Sequence, residues 1–147
     1  MKRKILIAAL LLFSTVNLFA QRSEIFVKAG SAINGYDAVA YFKEAKPVKG
    51  QDAFSYKWKA SNWLFTSQQN LDSFKLDPEK FAPQFGGYCA YGMSEAYKAP
   101  TDPTAFTIVE NKLYLNYNSR VKEIWSKDMP KRIEDANGHW EKIKDKE

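Results

Sequence analysis

Phe54-Ser55-Tyr56-Lys57-Trp58-Lys59 is the stretch from which the fold is read. Aromatic and polar residues alternate strictly along it. In an extended chain Phe54, Tyr56 and Trp58 therefore share one face, and Ser55, Lys57 and Lys59 share the other, the pattern of a half-buried strand. Ala60-Ser61-Asn62 reads as a turn, and Trp63-Leu64-Phe65-Thr66 as the returning strand of a hairpin. Further along, Ala105-Phe106-Thr107-Ile108-Val109 and Lys112-Leu113-Tyr114-Leu115-Asn116-Tyr117 make a second strand pair joined through Glu110-Asn111.

Helices flank the hairpins. Ser67 is placed to cap a helix through Leu76, with Leu71 and Phe74 on one face. Asp77-Pro78-Glu79-Lys80 starts a short second one, with Asp77 as cap and Pro78 at the first helical position. Asn118 or Ser119 caps a helix carrying Val121, Ile124 and Trp125. After Asp128-Met129-Pro130 a last helix carries Ile133, Ala136, Trp140 and Ile143 at three-and-four spacing. Toward the N-terminus, Ile25-Phe26-Val27 suits an edge strand and Asn34-Gly35 a turn. Ala38 to Phe42 fits a short strand or a helical turn equally well. Ala99 to Thr104 reads as a rigid turn. The expectation is an α+β domain: a small antiparallel sheet built from two hairpins, with helices packed on one face. The sequence shows neither an internal repeat nor a domain linker, so residues 21–147 are expected to form one domain.

The first twenty residues read differently. Lys2, Arg3 and Lys4 precede the apolar run Ile5 to Phe13, and Leu18-Phe19-Ala20 precedes Gln21, the layout of a secretory signal peptide cleaved after Ala20. The run is shorter than the roughly 20 residues that span a bilayer, so no stable membrane insertion is expected after cleavage. The expected destination is periplasmic or secreted. The chain has 22 Lys and Arg against 17 Asp and Glu; without Lys2, Arg3 and Lys4 this becomes 19 against 17. Much of the apparent basicity is thus an export signal, and a nucleic-acid partner is not expected.

The chemistry-bearing stretch is Phe85-Gly86-Gly87-Tyr88-Cys89-Ala90-Tyr91-Gly92-Met93-Ser94, which holds the single cysteine. One cysteine cannot form an internal bridge, which leaves a buried, reactive, ligating or intermolecularly bonded thiol. If this stretch is helical, Cys89 and Met93 lie four apart on one face, and a thiolate with a thioether suits a soft ion such as Cu(I). The competing reading is a small buried hydrophobe. Nucleophilic chemistry needs a base, and His139 is the only imidazole; its place beside Trp140 favours packing. Gly86-Gly87 lacks the Lys and Ser/Thr of a phosphate loop and reads as a tight turn. No complete catalytic constellation is present.

Taken together, these motifs resemble the exported single-domain members of the YHS-domain family. The likeness is carried by Gly35-Tyr36-Asp37-Ala38-Val39-Ala40-Tyr41-Phe42, by Trp63 with Phe65, by Asp77-Pro78-Glu79-Lys80-Phe81-Ala82-Pro83 and by Gly86 to Ser94. Asp102-Pro103, Lys112 to Asn118, Trp125 and Ala136 to Trp140 complete it. The resemblance implies an association with metal handling. The family's Tyr-His-Ser triplet reads Tyr88-Cys89-Ala90 here, which leaves a thiol where the imidazole would stand. The expected function is a non-enzymatic binding module, with a soft, copper-like metal at Cys89 and Met93 and with Tyr36, Asp37, Tyr88 and Tyr91 around the ligand. The alternatives are a thiol-dependent redox protein using Cys89, and an interaction domain with an aromatic small-ligand pocket.

Overall fold

The computed structural model describes residues 24–146, so the expected signal peptide lies outside the described residues. The fold is α+β. Short strands β1 (Val27–Lys28) and β2 (Ser31–Ala32) precede helix α1 (Ala40–Glu44). The first hairpin, β3 (Gln51–Trp58) and β4 (Ser61–Phe65), leads to α2 (Gln68–Leu76) and α3 (Pro78–Phe81). After α4 (Ala90–Ser94) comes the second hairpin, β5 (Asp102–Val109) and β6 (Lys112–Asn116). Helices α5 (Ser119–Ser126) and α6 (Met129–Ile143) complete the chain. The hairpins do not merge into one sheet. Among the described residues each strand pair is its own antiparallel ladder.

The expected caps form: Ser67 Oγ accepts from the Asn70 amide, Asp77 Oδ1 from Lys80 and Asn118 Oδ1 from Val121. Ala38–Phe42 resolves as a helical turn. The Asp37 side chain caps it, its Oδ1 accepting from the Val39 and Ala40 amides at 2.8 and 3.1 Å. The turns are tighter than the sequence suggested. Trp58 pairs with Ser61, which leaves only Lys59 and Ala60 between the strands, both with positive φ. Two-residue hairpins demand this left-handed pair to match strand twist. The segment read as a rigid turn also differs, since β5 already begins at Asp102.

The structure corrects one reading outright, because the chain contains a repeat. Strands Gln51–Trp58 and Ser61–Phe65 recur as Asp102–Val109 and Lys112–Asn116, every boundary shifted by 51 residues. The strand register recurs too. Ser55 opposite Leu64 and Tyr56 opposite Trp63 become Phe106 opposite Leu115 and Thr107 opposite Tyr114, and each ladder has its irregularity at the matching place. The left-handed pair Lys59-Ala60 recurs as Glu110-Asn111, the cap Ser67 as Asn118, and Asp77 before α3 as Asp128 before α6.

The match extends ahead of the hairpins. Ile33-Asn34-Gly35 and Phe85-Gly86-Gly87 are both runs of three positive φ values. After each run a tyrosine amide bonds back, Tyr36 to Ile33 O and Tyr88 to Phe85 O, both at 3.0 Å. The next amides also match: Asp37 N reaches Val48 O and Cys89 N reaches Ala99 O. Gly35-Tyr36-Asp37-Ala38 therefore corresponds to Gly87-Tyr88-Cys89-Ala90. Hydrophobic pattern alone did not reveal this, because the two copies share backbone and cap chemistry far more than side chains.

Two apolar clusters follow from the two copies. One gathers Tyr41, Trp63, Phe65, Leu71 and Phe74; the other gathers Phe85, Ala90, Met93, Tyr114, Trp125 and Ala136. Strand β6 lies between them. Leu113 and Leu115 belong to the first cluster and Tyr114 to the second, as the two-residue period of a strand requires. Each fully buried large apolar side chain contributes about 1.5–3 kcal/mol relative to exposure. The stripe of α6 docks Ala136, Ile133, Trp140 and Ile143 on the second cluster.

Candidate functional site

The two corresponding positions, Asp37 and Cys89, locate the site. Asp37 is fully buried. Besides the Val39 and Ala40 amides at Oδ1, its Oδ2 accepts from Thr66 N, Thr66 Oγ1 and Asn70 Nδ2, each at 2.8 Å. Asn70 Nδ2 also donates to Thr66 Oγ1, and Asn70 Oδ1 accepts from Lys43. The carboxylate's lone pairs are fully used. This network ties α1, the end of β4 and α2 together.

Cys89 occupies the same corner of the second copy, 1% exposed. The Gly92 amide faces its sulfur as that of Ala40 faces Asp37, whereas the Tyr91 amide, at the place of Val39, turns to Asn116. Gly92 N lies 3.5 Å from Sγ. The thiol is also 3.5 Å from Asn116 Oδ1, which accepts from Tyr91 N at 3.1 Å. Asn116 is fully buried, and its Nδ2 has no hydrogen-bond partner. Burial pushes the thiol pKa up from its ordinary value, against the opposing pull of the Gly92, Tyr117 and Tyr91 amides.

Side-chain differences between the copies open a cavity. The position of Asn70 is taken by Val121, which cannot donate, and that of Thr66 by Tyr117, which turns outward and is 53% exposed. The space that the first copy fills with a carboxamide and a hydroxyl becomes a cavity of about 290 Å³ lined by Cys89, Tyr91, Tyr97, Ala99, Tyr117 and Val121. Its walls are mostly apolar and aromatic, the lining that small-molecule sites favour. The Arg132 guanidinium lies 4.4 Å from the Tyr91 ring centre and also holds Ser94 and Glu95, which fixes that wall.

The residues singled out from sequence separate accordingly. Cys89 and Tyr91 line the cavity. Met93 is fully buried in the second cluster beside Ala90 and Trp125. The Tyr88 ring packs on Phe26 and Trp140, with Lys98 over it. Tyr36 belongs to the first copy, under Lys49, and Asp37 is committed to its own network, so neither lines the thiol pocket. His139 Nδ1 bonds to the Met93 carbonyl. Gly86 does serve a tight turn, but what approaches is backbone: a Cβ there would lie 1.8 Å from the Glu24 carbonyl oxygen. Tyr97, Ala99, Asn116, Tyr117 and Val121 were missed. Matching Gly35-Tyr36-Asp37-Ala38 to Gly87-Tyr88-Cys89-Ala90 and reading on from there would have pointed to them. Among the described residues, no group of three or more His, Cys, Asp or Glu side chains could hold a metal ion. Comparison with protein-family models, with curated proteins and with solved structures finds no match to this chain.

Proposed function

We propose that this chain is an exported, YHS-like, non-enzymatic module that binds a small apolar or aromatic molecule in the Cys89 pocket. The observation that carries the reading is the cavity itself, about 290 Å³ between Tyr91, Tyr97, Tyr117 and Val121, with the thiol in its wall. It lies where the second copy lacks the polar filling of the first. A soft metal ion is the competing ligand. Cys89 would supply one donor, but recruiting the Met93 thioether would disturb the packing of Phe85, Ala90, Tyr114 and Trp125 around it. The geometry therefore favours the apolar ligand.

Thermal unfolding of the chain lacking residues 1–20 separates the two. Indole is the neutral aromatic probe, and Cu(I) under anaerobic conditions is the metal probe. A ligand bound only by the folded state adds about 2.7 kcal/mol at a hundredfold excess over its dissociation constant. Saturable stabilisation by indole, lost in Val121→Trp where the cavity is filled, is the expected result. No response to indole, with a Cu(I) response abolished by Cys89→Ala, would replace the pocket reading with the metal one. Export is checked by the mass of the secreted chain, which should begin at Gln21.

A further inference from the structure

The correspondence between Asp37 and Cys89 leads beyond ligand binding. Cysteine sulfinate carries two oxygens on a short stem and a negative charge, so it is close in shape and charge to aspartate. In the first copy that position holds a carboxylate whose oxygens take two amides of the following turn and the amide of Thr66. In the second copy the matching amide of Gly92 already lies 3.5 Å from the sulfur, and that of Tyr91 is held by Asn116 Oδ1 at 3.1 Å. It is the Asn116 oxygen that faces Sγ, at 3.5 Å, while Asn116 Nδ2 is buried without a partner; turning the carboxamide over would present Nδ2 to an oxidised sulfur and release the Tyr91 amide to it. A buried donor left unpaired costs free energy that an added acceptor would recover. We propose that Cys89 is an oxidation site, converted by hydroperoxides to a sulfinate that the second copy holds as the first copy holds Asp37.

The chemistry balances with hydroperoxide as the only co-reactant. The thiolate sulfur attacks the terminal peroxide oxygen, an S–O bond forms, the O–O bond breaks and an alcohol or water leaves. A second hydroperoxide repeats the step on the sulfenate. In sum, Cys–SH and two ROOH give Cys–SO₂H and two ROH; the sulfur gives up four electrons, two to each peroxide, and the acid proton goes to solvent. No other cysteine exists in the chain to trap the sulfenate as an internal disulfide, so the second oxidation is open to it. The cavity on which Cys89 borders is the route of entry. Because the thiolate is the reacting form, the rate should climb with pH.

The test combines mass spectrometry with two variants. The folded chain lacking residues 1–20 is treated with hydrogen peroxide, and separately with cumene hydroperoxide, then mapped by peptide. The expected product carries about 32 Da more at Cys89 and melts at a higher temperature than the reduced protein. In parallel, Cys89→Asp should melt at or above Cys89→Ala near neutral pH, and should lose that advantage as pH falls through the carboxylate range. An ordinary apolar site would show the reverse order, since a buried unpaired carboxylate destabilises. The proposal is overturned if Cys89 stays a thiol in the folded protein while methionines oxidise, if the sulfinate lowers the melting temperature, or if Cys89→Asp melts below Cys89→Ala or does not fold. Failure of indole to bind would leave these outcomes unaffected, so the two readings fall separately.

Discussion

The first copy closes around Asp37 and the second stays open around Cys89, although the backbone is built the same way in both. Each has a run of left-handed residues, a tyrosine, a capping side chain, a hairpin with a two-residue turn, and a helix capped by Ser67 or Asn118. Around Asp37 the donors Thr66 and Asn70 complete the network. Around Cys89 the matching positions are Tyr117 and Val121, and the result is a cavity plus an unpartnered amide. One backbone can thus close on itself or leave a cavity, according to whether its polar corner is filled. In this molecule the filled copy ties α1, β4 and α2 together, and the unfilled one leaves the cavity proposed as the binding site.

The largest expected effect lies in the filled copy. Asp37→Ala strands buried donors from Val39, Ala40, Thr66 and Asn70 and should cost about 3–5 kcal/mol of unfolding free energy in denaturant titration. Asn116→Ala, beside Cys89 in the open copy, removes a side chain that is only half satisfied and should cost about 1–2 kcal/mol. Equal losses would show that the second network is as complete as the first.

The hairpin turns sharpen the comparison at smaller amplitude. Ala60 and Asn111 hold the same left-handed place. Alanine tolerates it poorly, so Ala60→Gly should stabilise by about 1 kcal/mol, while asparagine tolerates it well and Asn111→Gly should change stability by only a few tenths of that. Gly138 in α6 is outside the repeat. A Cβ there meets nothing within 4 Å, so Gly138→Ala should add about 0.5–1 kcal/mol.

Dependence on pH follows from the thiol. Burial raises the Cys89 pKa above its unfolded value. The unfolded chain therefore gives up its thiol proton at lower pH than the folded one, so stability is full below the ordinary thiol range and declines as pH rises through it. Tyr41 and Tyr114 are raised by burial as well and add to the alkaline loss. Cys89→Ala should remove the earliest part of that decline in unfolding curves measured at increasing pH.

Most of the architecture was legible because it rests on local chemistry. Alternation at Phe54 to Trp58 and the caps at Ser67, Asp77 and Asn118 each act within a few residues, and each formed where expected. The two hairpins were read correctly as antiparallel pairs, but strand alternation carries no information on whether pairs join, and here they stay separate. The site was half legible. Cys89 and Tyr91 stood out by residue type, whereas Val121 and Ala99 look like ordinary apolar residues and Tyr117 like the end of a strand. Their importance comes from what stands at the matching places in the first copy. Asp37 was misjudged for a related reason: a carboxylate beside a turn resembles a ligand until Thr66 and Asn70 are found to have consumed it.

The most direct test of the contrast between the copies is an amide-resolved NMR titration of the ¹⁵N-labelled domain with indole. The account predicts saturable shifts at Tyr91, Gly92 and Tyr117, with the matching amides of Val39, Ala40 and Thr66 unmoved. Shifts in neither set, or alike in both, would contradict it.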